Sequence, residues 1–349
     1  MSDSKRSIES SRVAAVKAVG FGLMLIVAAQ PLLGWAIGFT WFGPILVFVV
    51  VPVLDALIGE DKTNIGATRE NRWQTWFKWV PRLYILIWFA VLLWVGFVGP
   101  MSGLPSTVGL LVSLGVASGF ATCACHELLH RGTKTDYAYA RVAMSTVCYG
   151  HFVVEHLHHH ATVGRYSQGT VPAKCESLWS FLLRNVLFGF RNSYHVAERM
   201  RSRKQLGWMR NRALEQHALS IALFLAFATA FGNWGITLFV VQAVIAICTV
   251  EFVQLCEHYA LVRTDEDAAT ASHSWNSNGW LTNALTLNIT RHSDHHLNGR
   301  ISYEALRMVP GAPTMPMGYF GLFWLALIPA IWRRAIDPIV DDVERRTAT

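Results

Sequence analysis

Six stretches of the chain are long and apolar enough to cross a lipid bilayer as helices. A spanning helix needs about 20 mostly apolar residues. The stretches that meet this requirement are roughly 13–33, 39–58, 83–103, 106–125, 213–231 and 234–253. Short connections near 34–38, near 104–105 and at Gly232-Asn233 separate the members of each pair. The pattern therefore predicts three helical hairpins.

The positions of the basic residues predict how these hairpins are oriented. The 30 Lys and Arg residues lie in four segments, and the three hairpin tips carry none of them. Four lie in the N-terminal segment, five in 59–82, thirteen in 126–217 and eight in the C-terminal region. Basic residues are enriched in the cytoplasmic loops of membrane proteins. We therefore expect a multi-pass protein of the cytoplasmic (inner) membrane, with both termini and all four basic segments on the cytoplasmic side.

The predicted fold is an all-α integral membrane protein with about six transmembrane helices in three hairpins and a helical cytoplasmic cap. Residues 1–125 would form transmembrane helices 1–4 with the cytoplasmic loop 59–82, and residues 213–253 helices 5 and 6. The cap would combine 126–212 and 254–349. Within the last segment, a short apolar run near 318–332 contains Pro329, and we expect it to form an interfacial hairpin.

The composition supports this class and excludes several others. Hydrophobic residues make up 52% and charged residues 15%, against about 25% charged residues in soluble domains. With 14 Trp and 19 Phe, the chain is not disordered. The net charge of +7 follows the topology and requires no nucleic acid partner. The six cysteines (123, 125, 148, 175, 248 and 256) contain no C-x-x-C, which argues against a disulfide framework, a zinc ribbon or a built-in rubredoxin-type iron site.

Histidines supply the candidate chemistry. Of the 14 in the chain, nine lie in four clusters on the predicted cytoplasmic side. The clusters are His126 and His130; His156, His159 and His160; His258; and His292, His295 and His296. Residues i and i+4 share a helix face, so such a pair can present two imidazoles to one metal ion. Nine imidazoles would suit two metal ions with open positions, and imidazole binds iron, copper, zinc and nickel alike.

Two other interpretations of these clusters stay open at this point. The first cluster, H-E-x-x-H, is also the zinc protease signature, with Glu127 as the general base. The clustered histidines could also lie singly on a solvated surface. Four further histidines lack cluster spacing and are interpreted as structural: His151, His195, His217 and His273.

Six acidic residues are candidates to orient the histidines, because a ligating histidine usually donates its second N–H to a carboxylate or carbonyl. Four of them adjoin the clusters: Glu127, Glu155, Glu257 and Asp294. Asp55 and Glu251 lie at the inner ends of predicted spans, where a charge in the bilayer needs a partner. For these two, simple placement at the membrane interface is an equal alternative.

Several segments together resemble a known family. The sequences HELLH (126–130), YGHFVVEHLHHH (149–160), EHYALVR (257–263) and RHSDHH (291–296) are similar to the integral-membrane alkane 1-monooxygenases, within the membrane fatty acid desaturase and hydroxylase superfamily. Further similarity occurs in VVPVLDALIGED (50–61), HSWNSN (273–278) and GAPTMPMGY (311–319). The resemblance extends from about residue 40 to 335.

The resemblance implies a specific activity. The clustered histidines would bind two non-haem irons, and the enzyme would use O₂ to hydroxylate the terminal methyl group of a medium- or long-chain alkane to a primary alcohol. Rubredoxin, reduced by its reductase, would supply the electrons. The implied ligands are His126, His130, His156, His159, His160, His258, His292, His295 and His296. The chain has no flavin or nicotinamide fingerprint of its own, which agrees with a separate electron donor, and a nonpolar substrate would come from the bilayer.

The second cluster departs from the family pattern. The family has E-H-x-x-x-H-H, whereas Glu155-His156 is followed one residue early by His159-His160. Either His156 or His158 could then fill the ligand position, although His158 points away from His156 and His160 on a helix. The following segment, 162–172, also differs from the family. The alternatives are therefore a hydroxylase of aromatic methyl groups, of the xylene or cymene type, or a membrane lipid desaturase or hydroxylase. A zinc protease and a transporter are further alternatives.

Overall fold

The structure, a computed structural model, describes residues 3–65, 72–101, 103–165, 169–207 and 210–347. Residues 66–71 of the predicted cytoplasmic loop 59–82, Arg69 among them, lie outside this part of the chain. The same holds for residues 166–168, within the segment that follows the second histidine cluster.

The described residues form α-helices joined by turns and loops, with isolated β-bridges and no strand. In chain order the helices are α1 (Asp3–Gly22), α2 (Met24–Ala36), α3 (Phe42–Ile45), α4 (Val51–Ile58), α5 (Gln74–Val98), α6 (Leu104–His130), α7 (Lys134–Thr146), α8 (Phe152–Thr162), α9 (Leu178–Arg203), α10 (Arg212–His258), α11 (Trp280–Leu285), α12 (His292–Leu297), α13 (Tyr319–Leu327) and α14 (Pro329–Thr347). A π-helical turn, Leu46–Val50, joins α3 to α4. The predicted all-α class is confirmed.

Among the described residues, four helical runs are long and apolar enough to cross a membrane: Ser11–Ala36, Gln74–Val98, Leu104–His130 and Arg212–His258. A fifth apolar run, Phe42–Ile58, is shorter and coincides with the second predicted span. The chain is therefore a membrane protein, and the number of crossings stays a prediction.

The longest helix, α10, reverses direction at Gly232. The backbone of Gly232 has φ 59° and ψ −143°, a conformation that residues with a Cβ atom rarely adopt. The ring centroids of Phe227 and Phe239, on either side, are 5.5 Å apart, whereas a straight helix would separate these residues by about 18 Å. The 47-residue helix is thus two antiparallel segments, and the turn lies at the predicted connection Gly232-Asn233.

The boundaries of the third predicted span are shifted. The prediction was 83–103, but α5 runs from Gln74 to Val98 and ends at Gly99, which has φ 73°. The helix therefore begins inside the predicted loop 59–82. Residues 74–82 are helical even though this segment carries basic residues. At the other end the chain leaves the helix at Gly99-Pro100, five residues earlier than expected.

The helix α6 lies at the centre of the molecule and packs on α10, α2, α5 and α7. Its small residues let the neighbouring helices approach closely. Polar groups inside this core are hydrogen-bonded, as burial requires: the indole N–H of Trp88 donates to the hydroxyl of Ser118 over 3.0 Å, and the hydroxyl of Tyr84 donates to the carbonyl of Ala117 over 2.7 Å.

A buried ionic cluster attaches the segment before α12 to the N-terminal helices. Arg291 is fully buried, and its Nη2 lies 3.1 Å from Oδ2 of Asp61. Lys17, on α1, reaches the same oxygen at 2.9 Å. Arg291 also donates to the carbonyls of Thr63 at 3.0 Å and Leu306 at 2.7 Å. These contacts hold the residue directly before His292 in place.

The C-terminal region contains two helices in the apolar run near 318–332. This run forms α13 and the start of α14, separated by Ile328, because Pro329 begins a new helix; its placement at the membrane interface stays a prediction. Asp337 on α14 accepts a hydrogen bond from the hydroxyl of Tyr259 over 2.7 Å. That hydroxyl in turn accepts from the backbone N–H of Cys175 over 2.9 Å, so α14 is attached to the cap.

Candidate metal centre

The nine clustered histidines converge in two neighbouring groups. In each group, one nitrogen or other ligand atom per residue lies within 4.8 Å of all the others. The first group contains His126, His130, His156, His160 and His295. The second group contains His159, His258, His292 and His296.

The nitrogen atoms within each group lie about one hydrogen-bond length apart. In the first group, Nε2 of His156 is 2.8 Å from Nε2 of His130 and 3.1 Å from that of His160. In the second group, Nε2 of His258 is 3.1 Å from Nε2 of His159 and 3.1 Å from that of His292. The imidazoles therefore aim their Nε2 atoms at a common centre.

The spacing H-x-x-H-H distributes three histidines between the two groups. On α8, His156 and His160 share a helix face and join the first group, while His159 on the adjoining edge joins the second. The helix α12 does the reverse: its i and i+4 histidines join the second group, and His295 joins the first. The two triplets thus interlock. The rings of His160 and His296, from different groups, are 4.5 Å apart.

The two remaining contributions come from the ends of the long helices. The last turns of α6 extend beyond its apolar part and present His126 and His130 to the first group. The helix α10 ends at His258, which belongs to the second group. Four separate stretches of chain therefore meet, as the hypothesis of a shared metal site requires. Histidines scattered singly on a solvated surface would not converge in this way.

Burial keeps the histidines of the cap in the neutral form. It lowers the pKa of His156, His159 and His292 well below the usual 6.5, and neighbouring imidazoles lower it further. The same causes, burial first, lower the pKa of His295 and His296. Neutral imidazole is the form that binds a metal ion.

The donor set fits a pair of metal ions. Ligand nitrogens about 2.0–2.1 Å from a shared ion lie about 3 Å from one another, which is the separation observed in both groups. A buried polar atom without a partner is costly, yet Nε2 of His126 is buried and has no hydrogen-bond partner among the described residues. A metal ion would satisfy that atom. A single zinc ion takes three or four ligands and would leave at least five of the nine histidines unused.

Comparison with known proteins agrees with this geometry. The fatty acid desaturase family matches residues 102–326. Alkane 1-monooxygenase 2 of Pseudomonas aeruginosa is 32% identical over 96% of this chain and 95% of its own. Alkane 1-monooxygenase 1 of the same organism is 33% identical over 85% of this chain and 81% of its own.

The chain belongs to the alkane 1-monooxygenase family, within the fatty acid desaturase superfamily. It is accordingly an oxygenase enzyme of the membrane. A further relative is the xylene/toluene monooxygenase hydroxylase component XylM of Pseudomonas putida, which is 28% identical over 69% of this chain and 66% of its own. The two histidine groups are where this alkane 1-monooxygenase family member could hold metal.

The structure distinguishes His156 from His158. His156 is 2% exposed and belongs to the first group, whereas His158 belongs to neither group. The shortened second cluster of this family member therefore keeps the helical i, i+3, i+4 pattern. The four histidines without cluster spacing also lie outside both groups. One of them, His273, accepts a hydrogen bond on Nδ1 from the backbone N–H of Thr270 over 2.9 Å and caps a short 3₁₀ turn.

Of the six candidate acids, Glu257 is the one beside a histidine nitrogen. Its Oε1 lies 3.3 Å from Nδ1 of His292, which is also 3.2 Å from the carbonyl of Ile289. Glu155 is buried next to His156, and burial raises the pKa of its carboxyl to about 7. Its Oε1 has no hydrogen-bond partner within the described residues.

The hydrogen bonds of the other four acids go to partners other than histidine. Glu127 accepts from Arg131 over 3.0 Å, and Asp294 accepts from the backbone N–H of Arg307 over 2.8 Å. Glu127 thus pairs with a cation at the end of its own helix, and Asp294 binds the segment that packs against α12, because a nearby cation or N–H group satisfies a buried carboxylate.

The two acids at the span ends follow the same rule. Asp55 accepts from the backbone N–H groups of Leu281 at 2.6 Å and Thr282 at 3.1 Å, and so caps the start of α11. Glu251 accepts from the hydroxyl of Tyr149 and, over 2.7 Å, from the side-chain amide of Asn185.

An apolar cavity opens beside both histidine groups. Its wall includes His126 and His156 of the first group and His159 and His292 of the second. The rest of the wall is mostly apolar and comes from α6, α7, α8, α10 and α13, and from the segment between α11 and α12: Gly119, Phe120, Thr122, Cys123, Met144, Phe152, Thr249, Val250, Val253, Gln254, Glu257, Thr286, Ile289 and Phe320.

Apart from Glu257, sequence reasoning did not find these lining residues, because no spacing rule connects residues on so many elements. One of them, Phe152, stacks on His156 with ring centroids 4.6 Å apart. Its position one helical turn before His156 is the signal that could have identified it.

Proposed function

We propose that the protein is a di-iron, O₂-dependent monooxygenase that hydroxylates the terminal methyl group of a medium- or long-chain alkane to a primary alcohol. The observation that carries the proposal is that one apolar cavity borders both histidine groups. The similarity to alkane 1-monooxygenases supports the choice of reaction.

Two irons held by the two histidine groups would supply the oxidation of an unreactive C–H bond, which side chains alone cannot perform. The chain's own residues hold the substrate. The apolar walls favour a hydrocarbon over water, and the residues of α6 and α10 line a channel that points one end of the chain at the histidines. An alkane dissolved in the bilayer would reach this cavity without crossing water.

The electron donor in this proposal is rubredoxin, reduced by its reductase. The described chain shows no fingerprint of a flavin or nicotinamide site, so the electrons would come from a separate protein. The basic segments support a location in the cytoplasmic membrane with the histidine groups on the cytoplasmic side. A basic surface favours the docking of an acidic electron carrier.

Reconstitution tests the proposal. The purified protein is combined with a rubredoxin, its reductase, NADH and O₂, and then supplied in parallel with linear alkanes and alkylbenzenes. We expect primary alcohols from the linear alkanes. If no product forms when rubredoxin is omitted, rubredoxin is supported as the electron donor. Equal turnover without rubredoxin would exclude it as the donor.

A variant pair links the activity to the histidine groups. His258→Ala should lower the iron content and abolish turnover, because it removes one of the four nitrogens of the second group. His195 lies outside both groups, on an exposed face of α9, and His195→Ala should leave the iron content and the turnover unchanged. Purified protein that contains one zinc and no iron would contradict the proposal.

Hydroxylation of a methyl group on an aromatic ring is the second candidate. The similarity to the xylene/toluene hydroxylase component favours it, as do three phenylalanines in the cavity wall, Phe120, Phe152 and Phe320. Products from alkylbenzenes alone would establish this alternative. A double bond introduced into an acyl lipid would instead indicate a desaturase.

A further inference from the structure

The lining of the cavity on α6 and α10 ends far from the histidines. On α6 its lining extends from His126 back to Gly119, and on α10 from Glu257 back to Thr249. At a rise of about 1.5 Å per residue, these distances correspond to about 10–12 Å along the helices. One helical turn further, Gly115 and Ile245 are in contact and do not line the cavity.

The two helices touch at this end because Gly119 has no side chain. A Cβ atom at Gly119 would lie 2.8 Å from the Cβ, Cγ2 and Oγ1 atoms of Thr249, which is closer than side chains pack. The side chain of Thr249 therefore occupies the space that a larger residue at position 119 would fill. Its hydroxyl donates to the carbonyl of Ile245 over 2.8 Å, which fixes its rotamer.

A second contact lies at the same level of α6, next to Gly119. The rings of Phe120 and Phe320 stack with centroids 5.4 Å apart and an interplanar angle of 21°. Both rings line the cavity. Because Phe120 and Phe320 are paired with each other, the small side chain of Thr249 is the part of this end that a substitution can enlarge or fill without disturbing an aromatic pair.

We infer that Thr249, seated on Gly119, sets the upper limit on the length of the hydrocarbon chain that this enzyme accepts. This inference rests on the proposed hydroxylation of a chain whose methyl end faces the histidines. The tail then runs along α6 and α10 and ends against Thr249. A chain longer than the cavity cannot bring its methyl end to the histidines and its tail inside at once.

The direction of the effect follows from volume. Thr249→Ala removes a methyl and a hydroxyl group and lengthens the cavity, so the longest accepted alkane should gain one or two carbons. Thr249→Ile replaces the hydroxyl with a larger ethyl group and should shorten that limit. One methylene in an apolar pocket changes the specificity by roughly 10- to 200-fold, so we expect a change of about tenfold or more in the turnover ratio of the chains on either side of the limit.

The test measures turnover of a series of linear alkanes by the wild-type enzyme and these variants, each reconstituted with the electron donor. Thr237→Ala is the matched control: Thr237 lies on the same helix, is exposed, and also donates to the carbonyl four residues earlier, over 3.0 Å. The control should keep the wild-type chain-length profile.

The outcomes separate this inference from the proposed function. Opposite shifts for the alanine and isoleucine variants support the role of Thr249. If one variant fails to fold, as judged by its iron content, the shift of the other decides. A wild-type profile in the folded variants overturns the inference and leaves the proposed function standing. A wild-type enzyme that converts no linear alkane overturns the proposed function.

Discussion

At the scale of single residues, the role of a histidine depends on which helix edge it occupies. His156, His158, His159 and His160 are nearly consecutive, yet they have three different fates: first group, neither group, second group and first group. A helix turns by about 100° per residue, so neighbours in sequence point in different directions. The identity of the residue therefore says less than its position on the helix.

This difference makes a prediction for two residues in the second cluster. His156→Ala should lower both the bound iron and the turnover by about tenfold or more, since losing even an outer-shell partner costs that much. His158→Ala should change neither quantity. Metal analysis of the two purified variants checks the prediction. A reversed result would mean that His158, and not His156, fills the ligand position in the shortened cluster.

At the scale of secondary-structure elements, the long helices combine two tasks. The apolar parts of α6 and α10 pack in the core, and their last turns carry His130 and His258 to the two groups. Shifts of these helices along their axes would move the nitrogen atoms apart. The turn within α10 therefore contributes to the site, because it decides where the second half of the helix begins.

The turn predicts the effect of a substitution at Gly232. Gly232 has a positive φ of 59°, and a Cβ atom there would meet nothing within 4 Å, so Gly232→Ala would strain the backbone without a steric clash. We expect a loss of about 1–3 kcal/mol in the free energy of unfolding, measured by denaturation in detergent.

The control for this substitution is Gly207→Ala. A Cβ atom at Gly207 also meets nothing within 4 Å, and its φ is outside the positive range. The control should stay within about 0.5 kcal/mol of the wild type. Equal effects of the two variants would show that the backbone conformation at Gly232 does not matter to stability.

At the scale of the whole molecule, the basic segments and the histidine groups lie on the same predicted side of the membrane. The ionic cluster of Lys17, Asp61 and Arg291 joins the N-terminal helix to the segment before α12. The cap and the spans thus form one connected body, in which the two histidine groups lie where the ends of α6 and α10 meet α8 and α12.

The orientation can be tested through Cys175. This cysteine is free and exposed, and it lies in the cap next to Asp337 of α14. In a Cys148→Ser background, which removes the other exposed cysteine, a membrane-impermeant thiol reagent should label the protein in inside-out vesicles and not in right-side-out vesicles.

Two comparisons complete the labelling test. Cys175→Ser should abolish the labelling in inside-out vesicles, whereas Cys125, which is buried, should react only after denaturation. Labelling of Cys175 from the outside would invert the predicted topology.

The amino-acid sequence by itself determined the helical class, the turn at Gly232 and the nine histidines that converge. These features depend on local periodicity: an apolar run is long enough to span a bilayer, and i, i+3 and i+4 lie on neighbouring edges of a helix. The spacing also favoured His156 over His158, although it left the choice open.

Only the tertiary structure decided how the histidines divide into two groups and which partners the buried acids take. Asp55 caps α11 and Glu251 binds Tyr149, and neither contact follows from local spacing, because the partners lie about a hundred or more residues away along the chain. The cavity and the contact between Gly119 and Thr249 arise in the same way. They depend on how closely α6 and α10 approach, which is set by the packing of side chains from distant segments.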